Sequence, residues 1–200
     1  MDASQALDDT LKSTLSEAYR LIKRGVTDRR NAMHTPSVAT LGLDGRPRIR
    51  TVVLRDFDEG AGTLRFHTDR RSEKVSELAR DSRIGVHFYD EAAKVQLRID
   101  GRAAIHCEGI VADAAWIASQ RMSRVCYGTD PAPGSVIERA DAFHLPNLDP
   151  EIAAGREHFS AIVVTISAIE WLWLKSGGHR RAIFRFKNGT ESIDSQWLAP

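Results

Sequence analysis

The chain has 200 residues, of which 42% are hydrophobic and 28% are charged, as expected of a globular domain with a substantial core. Its net charge of +1 argues against bulk attraction to nucleic acid or to a membrane surface. No apolar run approaches the ~20 residues of a membrane-spanning helix, and the polar N-terminus lacks a signal-peptide core. The two cysteines and seven histidines show no disulfide framework and no metal-ligand spacing, so we expect a cytoplasmic protein without a metal.

The first predicted element is an amphipathic helix at about residues 7–24, where apolar side chains recur at three- and four-residue spacing. Gly25 follows a basic end and gives this helix a stop signal. We expect the helix to pack against the rest of the domain or against a partner subunit.

Two hairpins are predicted next. Residues 37–43 form the first strand, Asp44-Gly45 the tight turn, and residues 48–55 the return strand. A polar loop over residues 56–62 leads to a third strand at residues 63–68. This order of strands and turns predicts antiparallel pairing.

A short helix is predicted after the third strand. Ser72 would cap a helix that runs to about Arg80, with Val75, Leu78 and Ala79 facing inward. The later predicted elements are strands at residues 83–89, 94–105, 159–175 and 181–187, helices at residues 112–121 and 136–143, a loop at residues 129–134 and a mobile connection at residues 145–155.

Two dipeptides in the later part of the chain have different predicted roles. Asp100-Gly101 lies within continuous strand periodicity, so we predict a bulge or bend rather than a chain reversal. Asn188-Gly189 predicts a turn. Strands joined mostly by hairpins, with helices between them, indicate a mainly β fold: an antiparallel barrel with peripheral helices and one domain over residues 1–200.

Basic side chains cluster where the predicted strands end. Arg48 and Arg50 alternate along one strand and therefore share one of its faces. Arg70, Arg71 and Lys74 surround the predicted start of the short helix. Helix N-termini and clustered cations suit phosphate, so this arrangement predicts an anion site. The alternative interpretation is a solvated basic sheet face.

Several short motifs, each weak alone, occur in an order that resembles the pyridoxamine 5'-phosphate oxidase family. They are Arg50-Thr-Val-Val-Leu-Arg55, Phe66-His-Thr68, Ser72-Glu-Lys74, Val95-Gln-Leu-Arg98, Trp173 with Arg181, and the C-terminal Ile193-Asp and Leu198-Ala-Pro200. The similarity runs from about residue 33 to the C-terminus. The resemblance implies an FMN-binding split barrel that assembles as a homodimer, with FMN at the subunit interface.

The resemblance assigns the flavin contacts residue by residue. The implied cofactor-binding residues are Arg50, Thr51, Val52, Val53, Thr68, Ser72, Lys74, Gln96, Trp173 and Arg181. Arg50 and Lys74 would hold the phosphate, the backbone of Val52 and Val53 would follow the flavin edge, and Trp173 and Arg181 would come from the partner subunit. Glu73 departs from the family pattern, and Arg70 or Arg71 would then supply the missing cation.

The substrate side departs further from the family. The implied substrate-binding residues are Arg55, Trp116, Arg121, Arg124 and His179, and His179 is also the candidate catalytic residue. Arg55 replaces a lysine, Trp116 replaces a tyrosine, and Gln120 replaces an arginine unless the register slips by one to Arg121. We therefore expect the FMN-binding half of the site to be intact and the substrate-binding half to be remodelled.

The function implied by the resemblance is FMN-dependent oxidation of a small molecule. A hydride would pass from an amine or alcohol substrate to FMN and then to oxygen. The alternatives are a reductase of the same fold that uses a flavin or deazaflavin, or acts on haem, and a non-catalytic flavin-binding or stress-related module. The identity of the bound cofactor distinguishes the first alternative from the oxidase. The second alternative predicts bound flavin that neither a substrate nor reduced nicotinamide can bleach.

Overall fold

The computed structural model describes residues 10–189 and 191–200. Its helices are α1 (Leu11–Thr27), α2 (Glu73–Arg80), α3 (Gly109–Ala118), α4 (Arg121–Arg124) and α5 (Asp149–Ala154). Its strands are β1 (Ser37–Leu41), β2 (Pro47–Thr51), β3 (Leu54–Asp58), β4 (Thr63–Asp69), β5 (Arg83–Asp90), β6 (Val95–His106), β7 (Phe159–Trp173), β8 (Arg180–Lys187) and β9 (Glu191–Leu198). Within this described part, no helix is both long and apolar enough to cross a membrane.

The strands form one antiparallel sheet in the order β2-β1-β5-β6-β7-β4-β3, and β8 and β9 continue from β7. β7 is 15 residues long and organises the fold. One of its edges pairs with β6 throughout, whereas the other pairs first with β4 and then with β8. This division of one strand edge between two partners gives a split barrel, which confirms the predicted fold class.

The core lies inside the barrel. Alternate residues of β4, β6 and β7 point inward, as strand geometry requires, and Leu64, Leu97 and Trp171 are almost completely buried. α1 packs its apolar stripe on this core through Ala18 and Ile22. A smaller cluster lies beneath α3 and contains Ala115, Tyr127, Phe159 and Ala161, with Trp116 packed against it.

The N-terminal helix is confirmed over its described part, and its predicted start at residues 7–9 lies outside the described residues. The predicted stop at Gly25 is wrong, because α1 continues to Thr27. Gly25 is needed for packing instead: a Cβ atom there would lie 2.5 Å from the carbonyl oxygen of Met33.

The predicted single strand over residues 48–55 is wrong. The chain leaves β1 after Thr51 and forms a second strand, β3, that pairs with β4. The predicted polar loop at residues 56–62 is correspondingly shorter, since β3 extends to Asp58. This crossing places residues 52 and 53 between two parts of the sheet.

Most of the later elements follow the prediction, but strand β9 was not predicted and residues 136–155 differ from it. The bulge at Asp100-Gly101 and the turn at Asn188-Gly189 are confirmed. The helix predicted at residues 136–143 is wrong, because these residues form turns and bends without helix. The predicted connection at residues 145–155 contains α5, which packs its Ile152 inward.

Candidate functional site

Three side chains meet beside the start of α2. The Lys74 ammonium donates to Thr68 Oγ1 at 3.0 Å and to Ser72 Oγ at 3.1 Å, and these two hydroxyl oxygens are 3.1 Å apart. Ser72 occupies the predicted N-cap position, but its hydroxyl donates to the carbonyl oxygen of Asp69 at 2.6 Å and does not cap the helix. Lys74 therefore has hydroxyl partners and no carboxylate at this point.

Arg50 approaches the same region from β2. Its Nη2 donates to Glu77 Oε2 at 2.7 Å, and its Nη1 contacts the Thr40 hydroxyl. Thr40 donates to the same Glu77 oxygen at 2.5 Å. Burial, and next the positive charge of Arg50, hold the pKa of Lys74 below its usual value. The two cations are thus close enough for the charge of Arg50 to act on Lys74.

Glu77 is a site residue that the sequence prediction missed. The periodicity predicted Ala79 as an inward residue, yet Ala79 is exposed and Glu77 is buried. Glu77 lies three residues after Lys74 and therefore on the same helix face. This three-residue spacing is the sequence feature that could have identified Glu77 as a site residue. The carboxylate fixes Arg50 and offsets part of its charge.

Glu73 is exposed and its neighbours have other partners. Arg71 pairs with Asp69 through Nη2 at 2.7 Å and also donates to the carbonyl oxygen of Thr129 at 2.9 Å. Arg70 donates to the carbonyl oxygen of Glu157. The prediction that Arg70 or Arg71 replaces a missing cation stays a prediction, since both guanidinium groups are engaged elsewhere.

The segment between β2 and β3 presents backbone at the site. Thr51 is exposed at the end of β2, and Val52 and Val53 are half-buried. Val52 N–H donates to the carbonyl oxygen of Pro36 at 2.9 Å. This bond secures the start of the crossing where the resemblance places the flavin edge.

Gln96 and Arg181 lie in one row on the outer face of the sheet. Gln96 pairs with Leu172, and Leu172 pairs with Arg181. The Gln96 amide is half-buried and its side chain makes no hydrogen bond within the described part of the chain. Arg181 Nη2 donates to Glu170 Oε2 at 2.9 Å, which raises the pKa of Arg181. Both side chains therefore lie on the face of the sheet opposite the core.

Trp173 lies on the opposite face from Arg181, at the end of β7. Its ring is 6.4 Å from that of Trp171, and the Lys175 ammonium and the Arg180 guanidinium approach it to 4.9 and 5.8 Å. Trp171 belongs to the core, whereas Trp173 is only half-buried.

The predicted substrate residues fall into separate places. Arg55 and Gln120 line one cavity, together with His67. Arg121 does not line it, because its side chain donates to Asp149 Oδ1 at 2.9 Å and to the carbonyl oxygen of Asn147 at 3.0 Å. Of the two registers considered, the structure brings Gln120 and not Arg121 next to Arg55.

Trp116 and Arg124 are structural partners in this chain. The Arg124 guanidinium lies 5.1 Å from the centre of the Trp116 ring and donates to the carbonyl oxygen of Ile117 at 2.8 Å. Trp116 also packs edge-on against Tyr127 and Phe159. Their predicted substrate roles stay predictions.

His179 is exposed in the turn between β7 and β8. It lines an open concavity with Arg180, Arg181, Trp197 and Leu198. Within the described part of this chain, no hydrogen bond or ion pair joins His179 to the Lys74 cluster. Its predicted catalytic role therefore stays a prediction that depends on a second subunit.

Comparison with known proteins follows this geometry. The family model described as pyridoxamine 5'-phosphate oxidase, FMN-binding domain, matches residues 15–107. The pyridoxine/pyridoxamine 5'-phosphate oxidase 2 of Arabidopsis thaliana is 30% identical over 146 residues, which are 70% of this chain and 73% of that protein. The Myxococcus xanthus pyridoxine/pyridoxamine 5'-phosphate oxidase is 36% identical over 87 residues, 44% of this chain and 40% of that protein.

Two solved structures share the fold. A pyridoxamine 5'-phosphate oxidase-related, FMN-binding protein from Nostoc punctiforme superposes with a TM-score of 0.73 and 20% identity, covering 92% of this chain and 96% of its own. PhzG from Burkholderia lata superposes with a TM-score of 0.71 and 19% identity, covering 96% of this chain and 95% of its own.

The fold is that of a split-barrel protein. The chain belongs to the pyridoxamine 5'-phosphate oxidase family.

The residues present fit FMN on chemical grounds. Among the described residues, Lys74 offers an ammonium without a carboxylate contact, beside two hydroxyls and with a second cation, Arg50, in the same region. A phosphate group uses such donors. The unbonded amide of Gln96 can both donate and accept a hydrogen bond, as the pyrimidine end of a flavin requires.

Proposed function

We propose that this protein is an FMN-dependent oxidoreductase of the pyridoxamine 5'-phosphate oxidase type. It would oxidise an amine- or alcohol-bearing carbon of a small molecule, with oxygen as the final acceptor. The observation that carries the proposal is the cluster of Lys74, Thr68 and Ser72 with Arg50 beside it. The bound flavin would supply the hydride-accepting chemistry.

This chain's own residues would bind and orient the cofactor. Lys74 and Arg50 would hold the phosphate, and Glu77 would keep the Arg50 guanidinium in place. Gln96 would bond the polar edge of the ring, and residues 52 and 53 would present backbone to it. Fixing the ring in this way sets where a substrate carbon must lie, which is the main contribution of a protein to flavin chemistry.

The proposal includes a homodimer with FMN at the interface. Trp173, His179 and Arg181 would then act on the flavin or substrate bound by the partner, since no hydrogen bond or ion pair among the described residues joins them to the Lys74 cluster of their own chain. The outer sheet face supports this assembly: Ile49 and Tyr89 stand exposed on it. Exposed apolar side chains on a sheet face are typical of an interface.

A non-catalytic flavin-binding module is the second candidate. Arg121 is tied to Asp149, and Gln120 stands where the family has an arginine. A phosphorylated substrate would lose one charge-assisted bond by this change, worth roughly 1.5–3 kcal/mol. Flavin would then be held without turnover of the family's substrate.

The first experiment compares FMN with riboflavin, which lacks the phosphate. We expect the protein to bind FMN tightly and riboflavin weakly. Lys74→Gln should weaken FMN binding roughly ten- to hundredfold and leave riboflavin unchanged. Lys12→Gln, an exposed lysine on α1, is the matched control and should change neither. Equal loss of both ligands in Lys74→Gln would remove the phosphate assignment.

The second experiment separates oxidase from module. The FMN-loaded protein is mixed anaerobically with pyridoxamine 5'-phosphate, and the flavin absorbance is followed. Bleaching supports an oxidase. Flavin that neither pyridoxamine 5'-phosphate, pyridoxamine, other small amines and alcohols, nor reduced nicotinamide can bleach would support the module instead.

A further inference from the structure

Three side chains from three different elements close a ring of hydrogen bonds on the side of α2 that carries Lys74. Thr40 lies on β1, Arg50 on β2 and Glu77 on α2. Thr40 Oγ1 donates to Glu77 Oε2 at 2.5 Å, and Arg50 Nη2 donates to the same oxygen at 2.7 Å. Arg50 Nη1 donates to Thr40 Oγ1. Each member of this triad therefore contacts both of the others.

The hydroxyl of Thr40 has one possible role in the triad. A carboxylate can only accept hydrogen bonds and a guanidinium can only donate them. The Thr40 hydroxyl must therefore give its single proton to Glu77 and accept from Arg50. Thr40 is 5% exposed and Glu77 is 2% exposed, so water does not readily replace these bonds. Removal of one partner would leave a buried polar group unpaired, which costs free energy.

The triad fixes the orientation of the Arg50 guanidinium and leaves two of its donors for a ligand. Nη1 also donates to the carbonyl oxygen of Arg48 at 3.2 Å. These bonds use three of the five N–H groups of the guanidinium. Within the described part of the chain, no hydrogen bond uses Arg50 Nε or the second N–H of Nη2. Because 23% of the Arg50 side chain is exposed, an oxygen of a phosphate group can reach these donors.

The Glu77 carboxylate also acts on Lys74, which lies three residues earlier on the same helix face. Burial, and next the charge of Arg50, lowers the pKa of Lys74. Three carboxylates act in the opposite direction, in the order Glu77, Asp69 and Glu73. Glu73 is exposed, so water screens its charge, whereas Glu77 is buried. Removal of the Glu77 charge should therefore let Lys74 lose its proton at lower pH.

We propose that Thr40 and Glu77 are positioning residues for the phosphate group of FMN: both fix the Arg50 guanidinium, and Glu77 also acts on Lys74 through its charge. The motifs that resemble the family contain neither residue. The inference rests on the proposed function, which assigns the phosphate to Arg50 and Lys74. The two effects are separable, because Thr40 has no charge, whereas Glu77 has both a charge and a hydrogen-bond acceptor.

The first test measures the dissociation constants of FMN and riboflavin in Thr40→Val, which keeps the shape of the side chain without its hydroxyl. FMN affinity should fall roughly two- to tenfold, and riboflavin affinity should not change. Thr40→Ser, which restores the hydroxyl, should bind FMN as the wild type does. Thr165→Val replaces an exposed threonine on β7 and is the matched control, which should change neither affinity.

A double-mutant cycle shows whether Thr40 acts through Arg50. In Arg50→Gln, the addition of Thr40→Val should cause no further loss of FMN affinity, because the group that Thr40 positions is gone. Additive losses would overturn the proposal, and so would an equal loss of FMN and riboflavin in Thr40→Val, since Thr40 would then only support the fold. If Thr40→Val does not fold, the titration of Lys74 still decides.

That titration follows the Lys74 ammonium by NMR in the flavin-free protein, with Lys74→Gln to identify its signal. In Glu77→Gln, Lys74 should lose its proton at lower pH than in the wild type. Glu73→Gln, on the same helix, is the control and should titrate close to the wild type. No shift in Glu77→Gln, or an equal shift in Glu73→Gln, would overturn the role of Glu77.

The two tests also separate this inference from the proposed function. A wild type that binds no FMN would overturn the proposed function. The titration of Lys74 needs no flavin, so it measures the coupling between Glu77 and Lys74 whether or not FMN is the ligand. A wild type that binds FMN tightly, with Thr40→Val and Glu77→Gln unchanged in both tests, would overturn this inference alone.

Discussion

At the scale of single residues, the two phosphate-binding candidates differ in how much charge each can offer. Arg50 shares its charge with Glu77, which is buried and lies 2.7 Å away. Among the described residues Lys74 donates only to hydroxyls, and these bonds leave its net charge intact. Lys74 should therefore contribute more of the electrostatic attraction for phosphate. Arg50 should contribute more directional hydrogen bonds, because Glu77 holds its guanidinium group in one orientation.

The depressed pKa of Lys74 predicts a pH dependence of FMN binding. In the free protein Lys74 loses its proton below its usual pKa of 10.5. The phosphate favours the charged form, so FMN affinity should fall as pH rises through the depressed pKa and be constant below it. Fluorescence titration between about pH 7 and about pH 10, where the phosphate is a dianion, measures this effect. In Lys74→Gln the profile should be flat, and an equal fall in both proteins would contradict the assignment.

His67 predicts a different pH dependence, in the stability of the fold. The unfolded chain binds a proton at this residue below about pH 6.5, while the folded chain resists protonation until about pH 3. Stability is thus fully present above the unfolded pKa and is lost as pH falls toward the folded pKa, at ~1.4 kcal/mol per pH unit at most.

Urea unfolding at about pH 7 and about pH 5 measures this loss. His67→Gln removes the titrating group while keeping a polar side chain of similar length. We expect the variant to lose less stability than the wild type between the two pH values. An unchanged difference would mean that other groups cause the acid sensitivity.

At the scale of elements, local sequence patterns predicted the turns and bulges that depend on residues close in the chain. The Asp44-Gly45 turn needs one residue at positive φ, and Gly45 supplies it at φ +80°. The bulge at Gly101 was predictable because strand periodicity continued on both sides. Its close packing depends on a distant strand and was not predictable: a Cβ atom added at Gly101 would lie 2.6 Å from the carbonyl oxygen of Thr165.

The errors have the same physical origin. Residues 48–55 contain no glycine or proline, and residues 51–53 are β-branched, so nothing local reveals that the chain changes partner from β1 to β4. Glu77 was not predicted as a site residue, because its partners, Thr40 and Arg50, lie 37 and 27 residues earlier. Tertiary contacts overrode the local preference in both cases.

The turn between β3 and β4 provides a test of such long-range packing. Gly62 has φ +61°, and a Cβ atom there would lie 1.7 Å from the carbonyl oxygen of Gly189 in the turn between β8 and β9. Gly62→Ala should therefore force the two turns apart and destabilise the protein by about 2 kcal/mol or more.

The matched control is Gly45→Ala. Gly45 also has positive φ, at +80°, but its Cβ would meet nothing within 4 Å. It should cost only the backbone strain of about 1 kcal/mol. Both variants are compared by urea unfolding. Equal losses would show that backbone conformation alone, and not contact between the turns, determines the effect.

At the scale of the whole molecule, β7 divides the predicted site between two regions. Its first half supports β4 and the Lys74 cluster, while its second half supports β8 with Arg181. One chain holds these groups on different parts of the sheet. A second copy that covers the outer face could bring its own Arg181 to the flavin, and this division is the physical reason to expect a dimer.

The proposed dimer predicts that a charged side chain introduced on the outer face of the sheet should disrupt assembly. Ile49 lies on β2 with 72% of its surface exposed, so Ile49→Glu should leave the monomer folded. Burying an unpaired carboxylate in an interface is costly, so the variant should be monomeric and should retain little FMN. Ile117→Glu is the matched control, because Ile117 is 74% exposed and lies on helix α3 rather than on β2.

Light scattering after size exclusion gives the mass of each variant, and the visible spectrum gives its flavin content. We expect wild type and Ile117→Glu to be yellow dimers and Ile49→Glu to be a pale monomer. A monomeric variant that keeps its flavin would place the whole FMN site within one chain. Trp173 and Arg181 would then lose their predicted role, while the Lys74 cluster would keep its own.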